Sequence, residues 1–338
     1  MLEGHGDDIY RYDDLVKMNF SSNVYQHVDL TALKTHLEDS FDLIANYPEP
    51  QPRSLERLIA LKEGISPEAV LVTNGATEAI YLIAQHFHGS ASVIPQPTFN
   101  EYADACRQHH HIISYENNDE MTKLPRDRVY WICNPNNPSG NVLMKGFMDY
   151  VVRRSPRYTF VVDQSYESYT KEPLLRAREM MDVPNLIILH SLSKTYGVPG
   201  LRLGYMTAHP NLIQLLRQHR HPWAISALSL EAGKFLLKNG TPAVQNLDEY
   251  LEETDRFRSN LRDIKGVRVF ETKTNYMLCE LETVKASALK YYLIHEHGML
   301  IRDCSNFHGL SPYFFRVSTQ RPEENDALVA AIQEYLKA

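Results

Sequence analysis

Between residues 70 and 208, short apolar runs alternate with polar turns and with stretches of helical spacing. The runs at 70–73, 92–94, 128–132, 160–162 and 186–189 are a few residues long and almost wholly apolar. Such runs are predicted as strands buried on both faces. Strands that alternate with helices build a mostly parallel sheet covered by helices, so an α/β large domain is expected here. Further on, 210–218 and 226–238 are predicted helices leaving the sheet, and 247–264 is a longer, charged, amphipathic helix that bridges to a second domain. Strands near 267–270, 276–280, 299–303 and 313–318, with helices around Leu289 and Leu328, predict a smaller α+β C-terminal domain. The expected division is an N-terminal arm over 1–32, a large domain over 33–235 and a small domain over 236–338.

Composition narrows the class. With 338 residues, 43% of them hydrophobic, the chain can bury a large core and is expected to form two domains. A net charge of -7 gives no general reason for a nucleic acid or an anionic membrane as partner. The N-terminal MLEGHGDDIYRYDD is acidic and lacks the basic-then-apolar pattern of a signal peptide, and no run is long enough to span a bilayer, so a cytoplasmic location is expected. Cys106, Cys133, Cys279 and Cys304 are dispersed, which points to reduced thiols. His109, His110 and His111, near His86 and His88, are contiguous, so a strand would send them to alternating sides; a loop and strand start is expected there, and no metal site.

The chemistry concentrates where predicted strands end. Ser191, Ser193 and Lys194 follow the run 186–189, and Arg202 lies eight residues further on in a Gly/Pro-bent segment. Ligands of open α/β sheets lie at the carboxyl ends of strands. A lysine there can form a Schiff base with a carbonyl cofactor, while hydroxyls and a guanidinium hold a phosphate. Gly75, Ala76 and Thr77 stand at a predicted helix N-terminus, where free N–H groups and the helix dipole suit a phosphate. Phe99, just after a strand, offers an aromatic face for a pyridine ring. Asn137, in the turn CNPNNPSG, can donate to a phenolic oxygen. Asp163 closes an apolar strand, with Tyr166 three residues on, and a carboxylate there can keep a pyridine nitrogen protonated.

Together, NGAT, PTFNEY, NPNNPSG, DQSY and SLSKTYGVPGLRLGY resemble the fold type I, class I/II aminotransferase superfamily of pyridoxal phosphate (PLP) enzymes over nearly the whole chain. The resemblance implies that Lys194 bonds the cofactor aldehyde, that Asp163 pairs with its ring nitrogen, and that Asn137 and Tyr166 contact its ring hydroxyl. Gly75, Ala76, Thr77, Ser191, Ser193 and Arg202 would hold its phosphate. Tyr47, in NYPEP, resembles the family tyrosine that reaches the neighbouring subunit's cofactor phosphate, which implies a homodimer with shared active sites.

Which bond of the substrate breaks depends on where cations grip it, because the bond perpendicular to the cofactor ring is the one weakened. Arg316, in YFFRVSTQ, matches the family's carboxylate-binding arginine, and Arg302 lies fourteen residues earlier. Two arginines on neighbouring strands suit a substrate with two anionic groups, such as an amino acid that carries a phosphate. His5 and Gly6, the NFSSN segment, HPWAISAL and IRDCSNFHGL resemble the L-threonine-O-3-phosphate decarboxylases of cobalamin biosynthesis, relatives of the histidinol-phosphate aminotransferases. That likeness implies a substrate pocket of His5, Gly6, Asn23, Asn137, Arg302 and Arg316. HGDD stands where those decarboxylases more often have HGG. A 2-oxoglutarate-dependent aminotransferase is the alternative reading. Domains of this fold also serve as ligand sensors in transcriptional regulators, but this chain begins close to the arm and has no basic stripe, so a binding-only role is not expected.

Overall fold

The computed structural model describes residues 7–115 and 128–337. Its strands, in chain order, are Met18–Asn19 (β1), Val70–Asn74 (β2), Ala91–Val93 (β3), Ile112–Ser114 (β4), Arg128–Cys133 (β5), Thr159–Asp163 (β6), Leu186–His190 (β7) and Leu203–Ala208 (β8), then Val267–Val269 (β9), Tyr276–Leu281 (β10), Met299–Leu300 (β11), Arg302–Asp303 (β12) and Phe314–Ser318 (β13). Among the described residues, β2 to β8 form a seven-stranded sheet in the order β2-β8-β7-β6-β5-β3-β4. Only β8 runs antiparallel to its neighbours β2 and β7. The mostly parallel sheet expected from the sequence is therefore present.

The apolar runs still alternate by face. Leu71, Trp131, Val161, Ile187 and Leu189 point into one core with Ile80, Ile83 and Tyr102. Their neighbours Tyr130, Ile132, Phe160, Val162 and Ile188 pack on Met148 and Val152 in another. Two-sided burial accounts for the near absence of polar positions within these strands.

The second sheet is antiparallel, in the order β12-β13-β10-β9. One face packs Met277, Cys279, Phe315 and Val317 against Phe257, Leu289 and Leu328. The helix Leu247–Arg262, which carries Phe257, thus belongs to this second core.

The expected single strand over 299–303 is divided. Met299 and Leu300 pair in parallel with β1, while Arg302 and Asp303 pair with β13. Ile301, fully buried, lies between the two pairings. An apolar stretch cannot reveal a change of partner, because either pairing buries it. The partner of β11 is contributed by the N-terminal segment. Phe20 donates its N–H to Leu300 O and accepts from Ser318 N, and its ring enters the second core. Residues 18–23 thus form a strap seated in the C-terminal half of the chain.

No helix among the described residues is long and apolar enough to cross a membrane. All four cysteines are buried free thiols.

One close approach ties the large sheet to the helix Gly75–His86. A Cβ on Gly204 would come 2.7 Å from both Ala76 N and Gly75 C, which are backbone atoms unable to give way. Gly204→Ala is expected to destabilise the protein by about 1–3 kcal/mol. A fall in the melting temperature checks this, and an unchanged melt would show that the β8-to-helix contact is loose.

Candidate active site

The carboxyl ends of the parallel strands open on a cavity of about 960 Å³. Five chain segments bring their chemistry to it. β2 ends at the helix Gly75–His86, so Gly75, Ala76 and Thr77 face the cavity with N–H groups that helix geometry leaves free. Arg202, in left-handed backbone just before β8, lays its guanidinium against them: a Cβ on Gly75 would meet its Nη2 at 2.5 Å. Ser191 and Ser193 line the same end. Ser191 Oγ caps the short helix Leu192–Thr195, and Ser193 Oγ exchanges hydrogen bonds with the main chain of Leu203.

Lys194 sits on that short helix, just beyond β7, as the sequence leads one to expect. Its Nζ donates to Ser22 O at 3.5 Å and lies 5.8 Å from the Tyr166 ring centre. Burial, then the charge of Arg316, lowers its pKa to about 8. Asp163 ends β6 and is almost fully buried, with both oxygens engaged. Tyr102 OH donates to Oδ2 at 2.7 Å and Ser165 N–H donates to Oδ1 at 2.9 Å. Tyr166 is buried nearby, and desolvation raises its phenol to about 12 against the pull of Arg316. Phe99 lines the wall, edge-on to Tyr102 with ring centres 5.7 Å apart.

The opposite wall is cationic. Arg302 and Arg316 are direct partners across the β12–β13 ladder, and both are buried. Arg316 donates to Asn137 Oδ1 and to Ser21 O, and its Nε has no partner. Asn137 is left with its Nδ2 as donor. Arg302 donates to Asn306 Oδ1 at 2.8 Å and lies over the Phe307 ring. Burial lowers its pKa to about 10. Neither arginine has an acidic partner within ion-pair distance among the described residues, which leaves two desolvated charges to be met by an anion.

Two expected residues, Asn23 and Tyr47, stand apart from this wall. Asn23 is fully buried, in left-handed backbone, with both carboxamide atoms unpaired beside the Tyr166 phenol. Tyr47 is 85% exposed and packs against Trp223. His5 and Gly6 lie outside the described residues. Sequence reasoning did not select Asp7, Ser21, Ser22, Tyr102 or Asn306, which also line the cavity. Tyr102 could have been found, since it closes the PTFNEY motif three residues after Phe99.

The donor set fits PLP. The helix N-terminus, Arg202 and two serines form an anion cradle, Lys194 is acidified for attack on an aldehyde, and the Asp163 carboxylate stands ready for a ring nitrogen. Attack needs the neutral amine. The rate at which cofactor-free protein captures PLP should therefore rise with pH to a midpoint of about 8. Spectrophotometry of the bound cofactor checks this, and a midpoint near the ordinary lysine value would show that Lys194 is not desolvated.

Comparison with known proteins agrees. A family model described as aminotransferase class I and II matches residues 16–332. The structure of L-threonine-O-3-phosphate decarboxylase from Porphyromonas gingivalis superposes with a TM-score of 0.91 at 36% identity, covering 95% of this chain and 100% of that one. The threonine-phosphate decarboxylase of Salmonella typhimurium is 26% identical over 94% of this chain and 91% of its own. The histidinol-phosphate aminotransferase of Methanocaldococcus jannaschii is 25% identical over 96% of this chain and 90% of its own.

Proposed function

The chain belongs to the class I and II aminotransferases, an enzyme family dependent on PLP, and on that premise we propose that it decarboxylates L-threonine O-3-phosphate to (R)-1-amino-2-propanol phosphate, a step of cobalamin biosynthesis. The observation that carries this reading is the pair Arg302 and Arg316. Two buried guanidiniums, side by side on one ladder and lacking acidic partners, suit a substrate with a phosphate and a carboxylate. The 36% identity with the Porphyromonas gingivalis decarboxylase supports it further.

Bound PLP supplies an acceptor for the electron pair left on Cα when a bond breaks. The remaining work falls to the chain. Asp163, whose two oxygens accept from Tyr102 OH and Ser165 N–H, would hold a proton on the ring nitrogen. The anion cradle at Gly75–Thr77, with Ser191, Ser193 and Arg202, would fix the phosphate end of the cofactor. Arg316, held by Asn137 and Ser21 O, would grip the substrate carboxylate, and Arg302 the phosphate. Their grip would set the bond from Cα to the carboxylate perpendicular to the ring, so that carbon dioxide leaves. Lys194, freed by the incoming amine, would then pass a proton from Nζ to Cα.

The Methanocaldococcus jannaschii relative, similar to about the same degree as the Salmonella typhimurium one, keeps a second reading in view. In it Lys194 removes the Cα proton of histidinol phosphate, and the amino group passes to 2-oxoglutarate. Carbon dioxide release from threonine phosphate without any oxo acid is the expected result, and glutamate formation instead would favour the aminotransferase. Lys194→Ala is expected to abolish turnover and the visible band of the bound cofactor; retained turnover would refute the role of this lysine. Arg302→Gln should raise KM for threonine phosphate roughly tenfold to a hundredfold, matching about 1.5–3 kcal/mol for a charged hydrogen bond. It should change KM for unphosphorylated threonine far less, and equal losses for both would remove Arg302 from the phosphate.

Two copies of the chain would assemble through the exposed apolar group Phe41, Ile44, Tyr47 and Trp223. Light scattering is expected to give twice the 39.0 kDa chain mass, and a monomer would overturn the shared-site arrangement.

A further inference from the structure

Asp7 brings a carboxylate into a cavity built for anions. It adopts a φ of 63°, in the left-handed region that favours glycine. The structure fastens it there. Asn19 Nδ2 donates to its Oδ1, and its own N–H donates to Ser21 Oγ at 3.1 Å. The next residue, Asp8, accepts two bonds from Lys290 Nζ at 2.8 and 2.7 Å, with both side chains largely buried. Asp7 is thereby fixed on the strap beside Ser22, whose carbonyl accepts from Lys194 Nζ.

A carboxylate at this wall repels an anionic substrate, so substrate binding does not account for it. Lys194 does. The groups that share its cavity and act on its amine are Arg316 from β13, Arg202 from the segment before β8, Asp163 from β6, the Tyr166 ring and Asp7, bonded to the strap. The two arginines drive a proton off the amine; Asp163 and Asp7 favour it. Asp163 is committed to Tyr102 and Ser165, whereas Asp7 has one oxygen outside its bond to Asn19.

We propose that Asp7 is a positioning residue for Lys194: its charge keeps the proton on Nζ that Lys194 delivers to Cα once carbon dioxide has left. The delivery step rests on the decarboxylase reading, while the electrostatic coupling of Asp7 to Lys194 stands without it.

The test is the pH midpoint of the visible absorbance of PLP-loaded protein, compared among the wild type, Asp7→Asn, Asp7→Gly, Asp7→Glu and Asp8→Asn. Asn and Gly remove the charge, and Gly also relieves the left-handed backbone; both should lower the midpoint by about one unit. Glu should restore it. Asp8→Asn weakens the Lys290 anchor but leaves the cavity carboxylate in place, and should stay close to wild type. If the two neutral variants titrate with the wild type, or if Asp8→Asn shifts as far as they do, Asp7 has no such role. A wild type that titrates normally yet releases no carbon dioxide would sink the decarboxylase reading and leave the Asp7 result standing.

Discussion

The site depends on one desolvated cation. Arg316 is 3% exposed and bonded only to neutral groups, the Asn137 carboxamide and the Ser21 carbonyl. A buried charge satisfied by dipoles alone is costly, and an anion entering the cavity would complete it. Its geometry also organises its surroundings. Asn137 comes from the turn after β5 and Ser21 from the strap, so a single guanidinium joins the large sheet, the small sheet and the N-terminal segment at the wall of the cavity.

Around that cation the charges are sorted by position. Asp163 lies in the cavity between a phenol and a main-chain N–H, Lys194 beside the strap, and Arg202 against Gly75. The parallel strands explain the convergence. Most carry their chemical residue at the carboxyl end or a few positions beyond it, and those ends lie along one edge of the sheet. Reversal of β8 lets the segment 191–202 fold back, so that Lys194 and Arg202 line one cavity from a single segment.

What could be read from the sequence follows from locality. Gly75–Thr77, Asp163 and Lys194 each sit where an apolar run meets a turn, and both features are set by neighbours in the chain. Arg302 and Arg316 were legible as a pair because each lies in a strand-like stretch; their direct register needed the structure. The switch of partner at Ile301 could not be read, since both pairings bury the same apolar side chains. The contacts of Ser21 with Arg316 and of Ser22 with Lys194 could not be read, because main-chain oxygens make them, and every residue type has these. The helices Thr31–Asp39 and Arg53–Glu63 also went unassigned. Both are rich in polar residues, and packing onto the sheet rather than their own pattern makes them regular.

The strap also has a consequence for how the chain matures. Met18 and Asn19 pair with residues 299 and 300, Phe20 bonds across to Ser318, and the next two residues supply the carbonyls that meet Arg316 and Lys194. During synthesis these residues leave the ribosome about 280 residues ahead of their strand partners. The seven-stranded sheet can form while the strap still has nowhere to go, because contacts between distant parts of the chain close late. Each molecule therefore becomes competent only after residue 318 has been made, and a nascent chain stalled before residue 299 carries Lys194 and Asp163 without the wall that completes the cavity.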